Sequence, residues 1–178
     1  MKTVIIFESM YGTTQLVADE LAAVARQHGE VAVVRAEDAG SDATEGADLV
    51  LVGGPTHLHG LSTHATRQTG TAHPDDDAHA ALGPEVPGPG LRDWFRLSGR
   101  VDGTSAAAFD TRLDGPEILT GRASMGISRR LRHHGYHEVA APRSFLVTRE
   151  NRLMSGEARR AHDWAVSLFE SLLADVSR

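Results

Sequence analysis

Six consecutive residues, Ser9-Met10-Tyr11-Gly12-Thr13-Thr14, separate a short apolar run from a segment of helical periodicity. In a strand–loop–helix of this kind a phosphate would meet successive backbone N–H groups and the positive end of the helix dipole. Ser9, Thr13 and Thr14 add hydroxyl donors, and Gly12 lets the backbone approach closely. The turn holds no lysine, so it is not a nucleoside-triphosphate loop, and G-x-G-x-x-G is missing as well. A neutral, hydroxyl-rich cradle suits a monophosphate held by dipoles rather than by cations. The same residues would also start a helix with no ligand present, because Ser and Thr favour N-caps.

Two further clusters end apolar runs. Gly53-Gly54-Pro55-Thr56-His57-Leu58-His59-Gly60 follows the third run, and Phe109-Asp110-Thr111-Arg112 closes the fourth. The densest set of possible metal ligands is His57, His59, His64, His73 and His79 with Asp75, Asp76 and Asp77. Histidine and carboxylate can bind zinc or non-haem iron. Their spacing is loose and falls in a Gly/Pro/Asp-rich stretch, so the expectation is a solvated loop and no metal. His133 and His134 close a basic segment, where they would interact well with the negative end of a helix.

The elements that must position these residues alternate regularly. Thr3–Glu8, Val31–Arg35, Asp48–Gly53, Thr104–Phe109 and Glu138–Val147 read as strands, and the first is a β-branched run of the kind buried on both faces. Between and after them, Gln15–Gln27, Leu91–Leu97, Ala123–His134 and Glu157–Asp175 read as helices. In the last, Ala161, Trp164, Ala165, Leu168, Phe169 and Leu172 form one stripe. Residues 61–90 break the rhythm and read as an irregular insertion, with a short helix near Thr63–Gln68. Five strands alternating with helices predict a parallel sheet covered on both faces. In such sheets ligands sit at the carboxyl ends of strands, where the strand order reverses.

On these residues the sequence resembles the flavodoxin family, whose phosphate loop reads T/S-x-T-G-x-T. Ser9, Gly12 and Thr14 match, and Tyr11 stands where the family usually has threonine. The Gly-Gly-Pro-Thr run, Gly60-Leu61-Ser62, and the closing Pro142–Val147 with Leu153 and the Glu157–Ala165 helix look like a bacterial subgroup of that family. The resemblance spans nearly the whole chain apart from residues 70–90. It implies an α/β fold, a three-layer, doubly wound, five-stranded parallel sheet of strand order 2-1-3-4-5, forming one domain over residues 1–178. It also implies flavin mononucleotide (FMN) as cofactor. Ser9, Met10, Tyr11, Gly12, Thr13 and Thr14 would hold the phosphate. Pro55 and Thr56 would contact the ribityl chain, while His57 and Leu58 would lie against the ring. Phe109, Asp110, Thr111 and Arg112 would bracket the flavin from the other side and read its pyrimidine edge. Most flavodoxins carry a stacking tyrosine shortly afterwards; here Leu113, Asp114, Gly115 and Pro116 follow. Without that aromatic, and with Arg112 nearby, a negative reduced flavin should form more easily, giving a potential closer to that of free FMN. Arg112 could equally cap the strand end.

Composition narrows the field. The 178 residues are enough for one domain with a buried core. A formal net charge of −6 argues against non-specific nucleic-acid binding and suits a basic partner. Cysteine is absent, which excludes disulfides, thiolate catalysis, iron–sulfur clusters and cysteine zinc sites. No signal-peptide pattern and no apolar run of membrane-spanning length occurs, so a cytoplasmic location without membrane insertion is expected. Three functions are compatible with these features. One is FMN-based electron transfer with a redox partner protein or a small-molecule acceptor, needing no catalytic side chain. The second is a small FMN-dependent oxidoreductase acting on a quinone- or porphyrinogen-type substrate, with residues 61–90 as a lid. The third is a flavin-free interaction domain. The oligomeric state is open.

Overall fold

The computed structural model describes residues 1–57, 60–61 and 89–176. In chain order the elements are β1 (Lys2–Phe7), α1 (Thr13–Ala25), β2 (Glu30–Arg35), β3 (Leu49–His57), β4 (Gly60–Leu61), α2 (Leu91–Leu97), β5 (Ser105–Leu113), α3 (Glu117–Thr120), α4 (Ala123–His133), β6 (His137–Glu138), β7 (Arg143–Val147) and α5 (Glu157–Val176). The sheet runs β2-β1-β3-β5, with β6 and β7 both beside β5 at the outer position. These pairings are parallel; among the described strands only β4 folds back antiparallel, on the end of β3. The expected order 2-1-3-4-5 is therefore present, with the fifth position shared by two short pieces.

Alternate residues of each central strand feed different cores, which is why these runs are apolar throughout rather than alternating. Ile5, Phe7, Leu49, Leu51, Ala107 and Phe109 pack with α1 and α5 on one face. Val4, Ile6, Val50, Val52, Ala106 and Ala108 pack with α2 and α4 on the other. The predicted stripe of α5 faces inward, with Ala161, Ala165, Leu168 and Phe169 fully buried and Trp164 and Leu172 partly so. Each buried large side chain contributes about 1.5–3 kcal/mol. Because the crossover from β1 goes to one face and that from β3 to the other, the winding reverses between β1 and β3. The carboxyl ends of these two strands carry the candidate residues.

Three differences from the sequence reading have physical causes. First, β3 continues through Gly53-Gly54-Pro55-Thr56-His57, and β5 through Asp110-Thr111-Arg112-Leu113. The two extensions pair with each other, Gly53 with Phe109, Gly54 with Asp110 and Pro55 with Thr111. These residues are strand, not loop. Second, the fifth strand is broken: Ala106 lies opposite Glu138 and Phe109 opposite Arg143, so four residues, Val139–Pro142, span the space of two. Pro142 has no N–H to give to a ladder, and its carbonyl accepts from Arg122 Nη2 at 2.7 Å. Third, α1 starts two residues earlier than expected, at Thr13, directly after Gly12. The proposed helix near Thr63–Gln68 and most of the 61–90 insertion lie outside the described residues.

Candidate functional site

β1 ends at Phe7, and the chain turns through Glu8–Gly12 into α1. Gly12 occupies the left-handed region, φ 79° and ψ −16°, which glycine enters without the strain a Cβ would bring. Leu16 N–H makes the first helical bond, to the Gly12 carbonyl at 3.0 Å. The earlier N–H groups of α1 have no helical partner, and Gly12 at the N-cap has no side chain to cap them. In the same turn the Ser9 hydroxyl is buried without a hydrogen-bond partner. Backbone donors at a helix start, the helix dipole and an orphaned buried hydroxyl thus occur within one turn. Tyr11 is partly buried, and that burial pushes its phenol above the usual range, so the hydroxyl keeps its proton at neutral pH.

Thr14, expected as a phosphate-side hydroxyl, turns inward instead. Its Oγ1 lies 2.8 Å from Thr111 Oγ1 in a buried pair that ties α1 to β5. Phe109 and Asp110 also face the interior, both 0% exposed. Phe109 belongs to the core beneath Gly53, where a Cβ would run into its ring. Asp110 Oδ2 accepts the Ser124 N–H at 2.6 Å, while Thr56 Oγ1 accepts the Ala123 N–H at 2.9 Å. The ends of β3 and β5 therefore hold the N-terminus of α4 from inside. Burial raises the Asp110 pKa; the Ser124 N–H, the nearby Ser144 and Ser124 hydroxyls and the Arg122 charge pull it back down. Neither hydroxyl reaches good hydrogen-bond geometry, so the Ser124 N–H is the firm contact.

Arg112 points sideways into the following segment. Its Nη1 donates to the carbonyls of Leu113 at 3.2 Å and Gly115 at 2.8 Å and to Thr120 Oγ1 at 3.0 Å. Glu117 bridges it to Arg122, with N···O distances of 3.7 and 3.3 Å. The guanidinium thus latches the short helix α3 at the mouth of the sheet, where Ile118 and Leu119 are 87% and 68% exposed. Pro55 is half-buried beside this edge. The side chains of His57 and Leu58 lie outside the described residues. Met10 and Thr13 complete the first turn, the former partly exposed and the latter buried.

Glu8 escaped the sequence reading. It is buried, and its Oε2 accepts the Leu91 N–H at 2.9 Å, joining the end of β1 to the start of α2. The available signal was an acidic residue directly after an apolar strand and before the glycine turn. Among the described residues no group of three or more histidine, cysteine or acidic side chains could hold a metal ion.

The model of the flavodoxin domain family matches residues 4–73. Over 96% of this chain and 98% of its own, oxidised flavodoxin 1 from Bacillus cereus superposes with a TM-score of 0.69 at 21% identity. The chain has a flavodoxin-like fold. Oxidised flavodoxin 2 from the same organism gives a TM-score of 0.68 at 17% identity, over 96% of this chain and 99% of its own. Rubredoxin:oxygen oxidoreductase from Desulfovibrio gigas matches 99% of the flavodoxin-like chain with only 37% of its own length, at 18% identity and a TM-score of 0.62. Among curated proteins none matches the sequence. No helix among the described residues is long and apolar enough to cross a membrane.

Proposed function

We propose that this protein binds FMN at the carboxyl ends of β1, β3 and β5 and carries electrons between cytoplasmic partners. One observation carries the reading. At the winding reversal, the N-terminus of α1, the left-handed Gly12 and the buried, unpartnered Ser9 hydroxyl would form a neutral cradle of donors whose acceptor is not among the described residues. Such a cradle fits a phosphate dianion held by dipoles. Ser9, Met10, Tyr11, Gly12, Thr13 and Thr14 would surround that phosphate, Thr14 through its backbone N–H because its hydroxyl is engaged with Thr111. Pro55, Thr56, His57 and Leu58 would line one side of the remaining ligand, and Thr111 and Arg112 the other. Phe109 and Asp110, with no exposed surface, would support the floor rather than touch the ligand.

Bound FMN would supply the one- and two-electron chemistry. The protein's own contribution is positional and electrostatic. Arg112, held by four neighbours at the end of β5, places a fixed positive charge that favours added negative charge nearby. This supports a potential closer to free FMN than in proteins with an aromatic sandwich. The whole chain would act as one domain, with residues 61–90 as an insertion in its sequence.

The test is the visible spectrum of purified protein before and after incubation with FMN and desalting. Flavin bands that survive desalting support the assignment. A colourless protein in excess FMN sinks it and leaves the flavin-free interaction domain. Turnover of a quinone with a nicotinamide donor by the loaded protein would replace the carrier by the oxidoreductase.

A further inference from the structure

The net charge hides an uneven distribution. Residues 1–60 hold nine acidic side chains against three basic ones, whereas residues 89–178 hold fourteen arginines against eleven acidic side chains. β2 lies at one end of the sheet order, and α4 packs over β3 and β5. The acidic segment after β2 (Glu37, Asp38, Asp42, Glu45) lies on the same face and reaches α4 at its far end, where the Thr44 and Tyr136 hydroxyls meet at 2.9 Å. On the α2–α4 face, Arg92, Arg96, Arg129 and Arg130 share one electrostatic neighbourhood. Burial first, and then the charges of Arg92, Arg129 and Arg96, lower the Arg130 pKa. Holding like charges together costs stability. Among the described residues Arg96, 78% exposed, has an ion pair only with its own helix's Asp93, at 3.1 Å, and the exposed Arg129 has none.

Apolar side chains are interleaved with these arginines. Leu97, next to Arg96, is 64% exposed, and Met125, one helical turn before Arg129, is 45% exposed. Arginine mixed with methionine and leucine is the composition of protein interfaces. Single-stranded nucleic acid is instead gripped by exposed aromatics, and no Phe, Trp or Tyr stands among the exposed large side chains of the described residues. A molecule of net charge −6 is also repelled by a long polyanion, while an acidic patch on a compact protein feels chiefly the local face. We infer that the α2–α4 face is the docking surface for an acidic partner protein, opposite in sign to the basic partner that the net charge suggests. The α4 helix that carries it begins at Thr56 and Asp110, so this surface adjoins the candidate site.

Fluorescence anisotropy of two labelled probes tests this without any flavin: an acidic plant-type [2Fe–2S] ferredoxin and a basic cytochrome c. The ferredoxin is expected to bind, with affinity falling as salt rises. Arg129→Glu and Arg96→Glu are each expected to weaken it about tenfold. Arg159→Glu, the same charge change on α5 at the opposite face, is expected to leave it unchanged, and Arg129→Gln guards against misfolding of the reversal. Preference for cytochrome c, an equal effect of Arg159→Glu, or no ferredoxin binding at low salt would each overturn the inference. So would tighter binding of a DNA duplex, or self-association in sedimentation that the same two reversals abolish, which would assign the face to nucleic acid or to a second copy. Because FMN is not involved, failure here is distinguishable from failure of the cofactor assignment.

Discussion

Thr14 and Thr111 are ninety-seven residues apart in sequence, yet their hydroxyl oxygens lie 2.8 Å apart between α1 and β5. This buried pair couples the glycine turn to the end of the strand that leads into the Arg112 latch. Thr111→Val removes one partner and strands the other hydroxyl, at a cost of about 1–3 kcal/mol. Thr14→Val should cost a similar amount. The double variant should cost clearly less than the sum, since no orphan hydroxyl is left. Urea denaturation of the four proteins measures this; additive losses would show that the two hydroxyls do not act as a pair.

The Ser9 hydroxyl is a burden to the ligand-free protein, because it is buried with nothing to bond. Ser9→Ala should therefore leave the melting temperature unchanged or raise it. FMN affinity should fall about tenfold, equivalent to about 1.4 kcal/mol, while riboflavin affinity stays the same. Titrations with the two flavins read the difference, and equal losses for both would remove Ser9 from the phosphate.

Gly12 sits at φ 79°. Gly12→Val introduces a β-branched side chain into the left-handed region, costing about 1–3 kcal/mol, and crowds the turn. A folded Gly12→Val protein should bind neither FMN nor inorganic phosphate in calorimetry. Undiminished FMN affinity would displace the phosphate from this turn.

Burial holds the Asp110 carboxyl above its ordinary range. An acid whose folded pKa is raised binds its proton more tightly in the native state than in the unfolded one. Its contribution to stability thus falls as pH rises from the unfolded value, near 3.8, through the folded value, and is constant above that. Asp110→Asn removes this titration while an amide oxygen can still accept the Ser124 N–H. The stability of Asp110→Asn relative to the wild type should rise with pH over that window. Denaturation curves from pH 3.5 upward give the trend, and a difference that is flat in pH would contradict it.

Gly53 and Phe109 face each other across the β3–β5 ladder, and a Cβ on Gly53 would collide with the ring. Gly53→Ala should cost about 1–3 kcal/mol as the ring or the strand shifts. Adding Phe109→Leu should recover part of that loss. If the second change only worsens the first, the collision lies elsewhere.

The frame of the fold was legible because burial on both faces leaves a plain trace: Thr3–Phe7 and Leu49–Val52 lack the polar alternation of a half-exposed sheet. Sequence order then restricts the winding, and the turn at Ser9–Thr14 falls where two crossovers part. Less could be read where partners arrive from a distance. Nothing local distinguishes Asp110 from a surface carboxylate; the Ser124 N–H that holds it comes fourteen residues later, from the start of a helix. Gly53-Gly54-Pro55 reads as a strand terminator, but β5 offers it a neighbour and the strand continues. Arg112 was open between a ligand contact and a strand cap, and its partners at Leu113, Gly115 and Thr120 show it bracing the following segment. Glu8 went unread because its acceptor role depends on Leu91, beyond the whole insertion.

The interruption between β6 and β7 bears on how the molecule behaves when crowded. Beside β5 the sheet ends in pieces of two and five residues, separated by a stretch whose proline offers no donor and whose carbonyl is taken by Arg122. The charged side chain of Arg143 begins the second piece and is exposed. A strand from another molecule would find no continuous row of donors and acceptors along this border, and fibrils need such a row in order to seed. The kink that spoils a regular fifth strand therefore protects this border of the sheet, though not the β2 border, against edge-to-edge aggregation.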